Sequence, residues 1–186
     1  MSETRDIEIL RSAQKLIFRH GYSKVGMKDI ADDCSISRPT LYKFFSNKEA
    51  IVANLVERQA QSSKLSASAL IESQSSLEEK LQSFFDIWIV SPAAVAIDSI
   101  NGRDLLTNVE RYAPEAVQNL YMEFERQLTV LLAPSVRKKG VGSSAEDIAH
   151  LLALASKGLK SSSSSLLELK RLIDGLISLT VAAIEK

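Results

Sequence analysis

The chain has 186 residues, 45% of them apolar and 25% charged, with a formal net charge of zero and a single cysteine. That length suits one domain with a sizeable core, or a small domain fused to a larger one. The neutral balance excludes a general nucleic-acid coat, and the lone cysteine excludes an intramolecular disulfide. No signal peptide and no run of about eighteen apolar residues appears, so no membrane partner and a cytoplasmic location are expected. The charge is uneven: residues 1–48 carry nine basic groups against six acidic ones, and residues 38–48 carry three basic groups and no acid. A small basic patch on a neutral body fits site-directed DNA binding.

The first helix is expected over about residues 4–19, with Ile9, Leu10, Ala13, Leu16 and Ile17 at helical spacing. His20-Gly21 closes it, a histidine at the negative end of the helix dipole and a glycine able to take positive φ. Tyr22 to Gly26 is a connector. Met27, Ile30, Ala31 and Cys34 then fall at i, i+3, i+4 and i+7 and predict a short helix, in which Cys34 is a packed small side chain. Ser35-Ile36-Ser37 interrupts it. Ser37 can accept a free N–H as the N-cap of the next helix, and Pro39 falls in its first turn. That helix, Arg38 to Phe45, buries Leu41 and Phe45 and leaves Arg38, Pro39, Thr40, Tyr42 and Lys43 outward. Such an exposed helix start can reach base edges in a major groove. Ser46 and Glu49 spell a capping box that opens a long helix to about residue 67, with Lys48 at an N-terminus that favours an anion.

Residues 70–76 read as a loop, with Ser75-x-x-Glu78 and Ser76-x-x-Glu79 both able to open the next helix, about Leu77 to Val90. Ser91-Pro92 is expected to break it, with a further helix from Pro92 to Arg111. Ala113-Pro114 starts another, to near Ala133, which Pro134 should kink or end. Arg137 to Gly142 reads as a solvated basic loop. Ser143-x-x-Glu146 caps a helix over about 144–160, Ser161 to Ser165 is a connector, and Ser165-x-x-Glu168 opens the last helix, about Leu166 to Ile184. On that helix Leu169, Ile173, Leu176, Thr180 and Ala183 form one stripe, widened by Leu172, Leu179 and Ile184. So broad an apolar surface needs two partners, its own domain and a second copy of the chain being the simplest. No strand-like alternation stands out, so an all-α fold of about nine helices is expected. His20 and His150 are isolated, and no metal or cofactor is implied.

Ala13 to Glu57, AQKLIFRHGYSKVGMKDIADDCSISRPTLYKFFSNKEAIVANLVE, resembles the TetR family of bacterial transcriptional regulators. The pattern stands here as Leu41-Tyr42-Lys43-Phe44-Phe45 followed by Lys48-Glu49. The resemblance implies a helix-turn-helix DNA-binding domain over residues 1–48, a linking helix over about 47–67, and a helical regulatory and dimerisation domain over 49–186. Where family members commonly carry Ser or Thr, and Gly, this chain has Gly26 and Ser35; if residue 35 needs positive φ, serine costs about one kcal/mol there.

The partners implied are double-stranded DNA, a second copy of the chain and a small-molecule effector. Arg38 suits guanine, the Thr40 methyl suits thymine, and Pro39 adds an apolar contact; Ser37 starts the reading helix, while Tyr42, Lys43 and Lys48 suit phosphates. In the family the middle helices surround a ligand pocket, for which Phe84, Phe85, Trp88, Tyr112, Tyr121 and Phe124 are candidates; a plain hydrophobic core would use the same residues. The family's last two helices pair across a dimer axis, for which Leu151, Ala155, Leu169, Ile173, Leu176, Thr180 and Ala183 are candidates. Repression is the family's usual mode, and nothing in the residues separates a repressor from an activator. A dimeric helical module controlled by a protein partner is the alternative. An enzyme fails on inventory, with no paired histidines, nucleophile elbow, Gly-rich phosphate loop or Cys–His cluster.

Overall fold

The computed structural model describes residues 2–139 and 142–185. Among these residues ten α-helices form and no strand does: α1 (Ser2–His20), α2 (Met27–Asp33), α3 (Arg38–Phe44), α4 (Lys48–Ile71), α5 (Leu77–Phe85), α6 (Ser91–Ala94), α7 (Ile100–Tyr112), α8 (Pro114–Lys139), α9 (Ala145–Ser162) and α10 (Leu166–Glu185). A 3-10 turn, Tyr22–Lys24, follows α1, and a π-helical turn, Asp86–Val90, joins α5 to α6 without a gap. Counting that run as one, the described residues make nine rods, as the all-α expectation has it. No helix among them is long and apolar enough to cross a membrane.

The chain divides into two compact units, Met1–Arg58 with Ala96–Gln118, and Gln59–Val95 with Asn119–Lys186. The first unit therefore holds more than the three expected helices. The start of α4, all of α7 and the first residues of α8 belong to it. Ile9, Ala13 and Ile17 of α1, Ile30 of α2, Leu41 of α3 and Ile51 of α4 are fully buried in one core, which Leu105, Ala113 and Ala116 complete. At the start of α7, Asn101 Nδ2 donates to the Arg19 carbonyl in the last turn of α1, 2.9 Å away. The Ser99 hydroxyl caps α7 by accepting from the Gly102 N–H. A Cβ at Gly102 would lie 2.5 Å from the Ala96 carbonyl, so this tight start requires glycine.

In the second unit Phe84, Phe85, Leu81, Phe124, Leu128 and Leu132 are fully buried. Two proline expectations are corrected here. Ser91-Pro92 does not break the chain's helical run. The π-helical turn absorbs it, with the Ser91 N–H bonding the Asp86 carbonyl five residues back. Pro92 has no N–H to offer the Ile87 carbonyl, and the buried Ser63 hydroxyl donates to that carbonyl instead, at 3.1 Å. The break falls between Ala94 and Ile100. Pro134 likewise sits inside α8, which continues to Lys139, so Arg137 and Lys138 are helical. Pro134 and Val130, whose carbonyl loses its donor, are both exposed, so water can serve it. Gly140 and Val141 of the expected basic loop lie outside the described residues.

The capping serines are those the sequence offers, in one register of each pair. Ser76 and Glu79 form a reciprocal box ahead of α5. Ser144 rather than Ser143 caps α9, accepting from the Asp147 N–H. Ser165 accepts from the Glu168 N–H at the start of α10.

The turn between α2 and α3 is a Schellman motif. The Ser35 N–H bonds the Asp32 carbonyl at 3.1 Å, and the Ile36 N–H bonds the Ala31 carbonyl at 3.0 Å. Ser35 takes φ 53°, the left-handed conformation that glycine adopts without a Cβ penalty. Replacing it with glycine, Ser35→Gly, is expected to raise unfolding free energy by about 1 kcal/mol, because relief of that strain outweighs the added freedom of the unfolded chain. Urea unfolding of the two proteins checks this.

Candidate nucleic-acid interface

The left-handed Ser35 lets the chain reverse within three residues and start α3 at once. Ser37 is in extended conformation, and its hydroxyl accepts from the Thr40 N–H at 3.2 Å. The Ser37 and Thr40 hydroxyl oxygens also share a hydrogen bond at 2.8 Å. Pro39 lies in the first turn, where its missing N–H leaves nothing unsatisfied. Leu41 is fully buried and Phe45 nearly so, which turns the helix so that Ser37, Arg38, Pro39, Tyr42 and Lys43 are exposed and Thr40 is half-buried. Six of the seven residues expected to meet DNA are thus brought onto one short helix and its cap.

Lys48 is placed differently. Its ammonium donates to the main-chain carbonyls of Tyr22 and Val25, the second at 2.7 Å. It also lies 3.9 Å from the centre of the Tyr22 ring. Burial of this group pulls its pKa below the ordinary lysine value. An ammonium committed to two carbonyls and a ring is a brace within the unit, so the expected phosphate contact at Lys48 is corrected. The capping box expected at Ser46 is also replaced. Asn47 Oδ1 accepts from the Ala50 N–H at 2.7 Å, and Asn47 is the cap of α4. Glu49, released from that duty, accepts from the Tyr22 hydroxyl at 2.6 Å.

Tyr22 is therefore the centre of a network that no spacing in the sequence announces. Its ring stacks on Tyr112 of α7, with centroids 3.7 Å apart and planes at 17°. Burial, and then the Glu49 carboxylate, push its phenol well above the ordinary tyrosine pKa. The Tyr22 hydroxyl is in turn the largest cause holding the Glu49 carboxyl below its ordinary value.

Of the residues expected at a ligand pocket, Tyr112 belongs to the amino-terminal unit, because its stripe on α7 packs with the α1 core. The other five come together in the carboxy-terminal unit. The Phe124 ring lies 5.2 Å from Phe84, 5.7 Å from Phe85, 5.9 Å from Trp88 and 6.4 Å from Tyr121, centroid to centroid.

The expected dimer stripe divides. Leu169, Ile173 and Thr180 are buried within their own unit and present nothing to a second chain. Leu151 is exposed, Ala155 and Leu176 are half-buried and Ala183 is exposed. Of these, Ala155 and Leu176 join Leu154, Gly158, Leu172, Gly175 and Leu179 in lining an apolar groove of about 570 Å3 between α9 and α10, and Leu151 and Ala183 do not line it. The two stripes of α10 lie side by side, and composition does not say which one turns inward.

Tyr22→Phe removes the hydroxyl and keeps the ring stack. It is expected to cost about 1 kcal/mol, below the usual range for a bond to a charged group because Glu49 is exposed and screened by solvent. A carboxyl held low in the folded state contributes fully above its ordinary value of 4.5, and that contribution is lost as pH falls through the lowered value. The stability difference between wild type and variant is therefore expected to shrink in acid. Urea unfolding at about pH 7 and about pH 3 checks both statements.

Residues 9–55 match the family described as bacterial regulatory proteins, tetR family. Over 55 residues the chain is 34% identical to the HTH-type transcriptional regulator EthR of Mycolicibacterium smegmatis, a match covering 30% of this chain and 25% of that one. It is thus similar to about a quarter of that relative's length. The fold extends the likeness. The fatty acid degradation regulator FadR from Bacillus halodurans superposes with a TM-score of 0.73 at 15% identity, covering 97% of this chain and 96% of that one. The FadR of Bacillus subtilis, solved in complex with stearoyl-CoA, superposes with a TM-score of 0.71 at 16% identity over 96% and 98% of the two chains. Residues 9–55 thus match the helix-turn-helix unit of the tetR family of bacterial regulatory proteins, and nearly the whole chain shares its fold with the two FadR structures.

Proposed function

We propose that this protein is a sequence-specific DNA-binding transcriptional regulator that acts as a two-fold dimer in the cytoplasm, represses by occupying a palindromic operator, and is released by a small molecule. The observation that carries the reading is the outward face of α3, where Arg38, Pro39, Tyr42 and Lys43 stand exposed on a helix anchored by Leu41. Arg38 holds guanine O6 and N7 as a bidentate pair, and the Thr40 methyl meets a thymine methyl. Tyr42 and Lys43 set the register on phosphates, while Lys48 supports the unit from within.

One such helix reads only a few base pairs, and a dimer presents two of them about 34–36 Å apart. The groove between α9 and α10, lined by Leu154, Ala155, Gly158, Leu172, Leu176 and Leu179, supports a second copy as its occupant, because two exposed glycines allow close helix approach there. The carboxy-terminal unit serves as the effector-responsive part. It shares α4 and α8 with the amino-terminal unit, so a ligand that favours one geometry of those helices changes the spacing of the reading heads. The stearoyl-CoA held by the similar Bacillus subtilis protein supports a ligand-responsive role for this fold.

Selection of bound duplexes from a random pool tests the reading. Wild type is expected to enrich a palindrome. Arg38→Ala is expected to lose about 1–3 kcal/mol at one base position of each half-site, whereas Lys43→Ala weakens all sequences alike and lowers the salt slope by about one. Unchanged sequence preference in Arg38→Ala would refute the assignment. For the dimer, Leu179→Glu places a charge in the apolar groove and is expected to give monomers with weakened operator binding. Sedimentation at micromolar concentration reads the first effect, and a dimer that survives would rule this face out.

A further inference from the structure

Where α3 meets DNA, the chemistry that Thr40 shows to a base matters. Thr40 is half-buried, beside the fully buried Leu41 and the exposed Pro39. Its Cβ carries a methyl and a hydroxyl, and the two read different features of a base. The hydroxyl exchanges hydrogen bonds with the polar edge, whereas the methyl packs on the C5-methyl of a pyrimidine. Threonine in a helix divides between two χ1 rotamers, so the backbone alone does not decide which group is presented.

Ser37 decides it. Its hydroxyl oxygen caps α3 by accepting from the Thr40 N–H at 3.2 Å. The Thr40 hydroxyl oxygen lies 2.8 Å from that same oxygen. An N-cap needs only the first of these bonds. The second ties side chain to side chain. Whichever hydroxyl donates, the Thr40 oxygen is turned back along the helix toward its cap, and χ1 is set. Ile36 and Leu41, which bracket the pair, are both packed on the core of the unit, so the arrangement is in place before DNA arrives.

We propose, resting on the reading of α3 as the DNA-contacting helix, that Ser37 is a positioning residue for base recognition. By holding the Thr40 hydroxyl, it leaves the methyl as the group that Thr40 brings to the major groove. Pro39 has no polar side-chain atom and extends this apolar spot. Thr40 therefore reads a C5-methyl and is indifferent to the substituent at C4. Thymine and 5-methylcytosine both carry that methyl, while uracil and cytosine lack it. One position of each half-site thus distinguishes a methylated pyrimidine from an unmethylated one.

The palindrome that the full-length protein selects from the random pool is the probe. Each thymine is replaced in turn, in both half-sites, by deoxyuridine, which removes the methyl and keeps the base pair. Fluorescence anisotropy gives Kd. At one position the change is expected to weaken binding about fourfold per half-site, hence about fifteenfold for both, as loss of one buried methyl would. Cytosine against 5-methylcytosine at that position is expected to show the same ratio. Ser37→Gly keeps a good N-cap residue and removes the hydroxyl, so it folds with Thr40 released. Its ratio is expected to fall to about sixfold, the value for a methyl in place half the time. Thr40→Val is expected to keep the full ratio and Thr40→Ser to abolish it.

If Ser37→Gly weakens all duplexes alike and leaves the ratio at its wild-type value, Ser37 is a cap only and the proposal falls. Loss of the ratio in Thr40→Val would mean that the hydroxyl is read, and overturns it equally. A palindrome in which no thymine methyl matters, with the Arg38 dependence intact, overturns the role of Ser37 and leaves the DNA-reading helix standing. No selected palindrome at all removes both.

Discussion

The amino-terminal unit depends on how Tyr22 is held. This residue lies in a three-residue turn, outside every helix that reads DNA, yet four contacts meet on it. Tyr112 stacks on its ring, Glu49 accepts its proton, and the Lys48 ammonium lies over its face while bonding its carbonyl. The contacts come from two stretches distant from it in the chain, α7 and the first turn of α4. The ammonium and the carboxylate are adjacent in sequence, and the phenol separates their tasks, one charge bonding main chain and the other bonding the hydroxyl. A partly buried cation is tolerated there because carbonyl dipoles and a ring face replace its water.

The reading helix is oriented by local chemistry of a different kind. A left-handed serine reverses the chain, an extended serine caps the next helix, and a proline enters its first turn without loss of a hydrogen bond. Leu41 supplies the burial that fixes which side faces out. The strain at Ser35 is small beside the cohesion of the core around Ile30, Ala31 and Leu41, which is why a side chain persists where glycine would be easier.

The carboxy-terminal unit combines a closed aromatic centre with buried polar atoms that have no hydrogen-bond partner among the described residues. Ser63 shows the ordinary solution: a buried hydroxyl donates to the Ile87 carbonyl that Pro92 cannot serve, and takes a hydrogen bond from Gln59 in turn. Trp88, one residue further on, has no such partner for its indole.

Much was legible in the residues alone. The 3.6-residue periodicity, the serine caps with acids three residues on, and the pattern from Leu41 to Glu49 determine an all-α chain, the position of the helix-turn-helix and the exposed set on α3, because each is a matter of neighbours within one or two turns. The positive φ at Ser35 was signalled only by the resemblance, in which glycine is common at that position. Tertiary structure decided the rest. Whether Lys48 faces outward or inward depends on carbonyls more than twenty residues earlier. Whether Tyr112 joins the aromatic centre or the α1 core depends on which helix α7 packs against, and which stripe of α10 is buried depends on the rotation of a helix apolar on two sides. Proline positions were visible, but Ser63 made Pro92 compatible with a continuous run, and water can do so at Pro134. Local sequence determines what a segment can form; only packing assigns a long-range partner to each charge, ring and carbonyl, because those partners come from chain segments that no local pattern links.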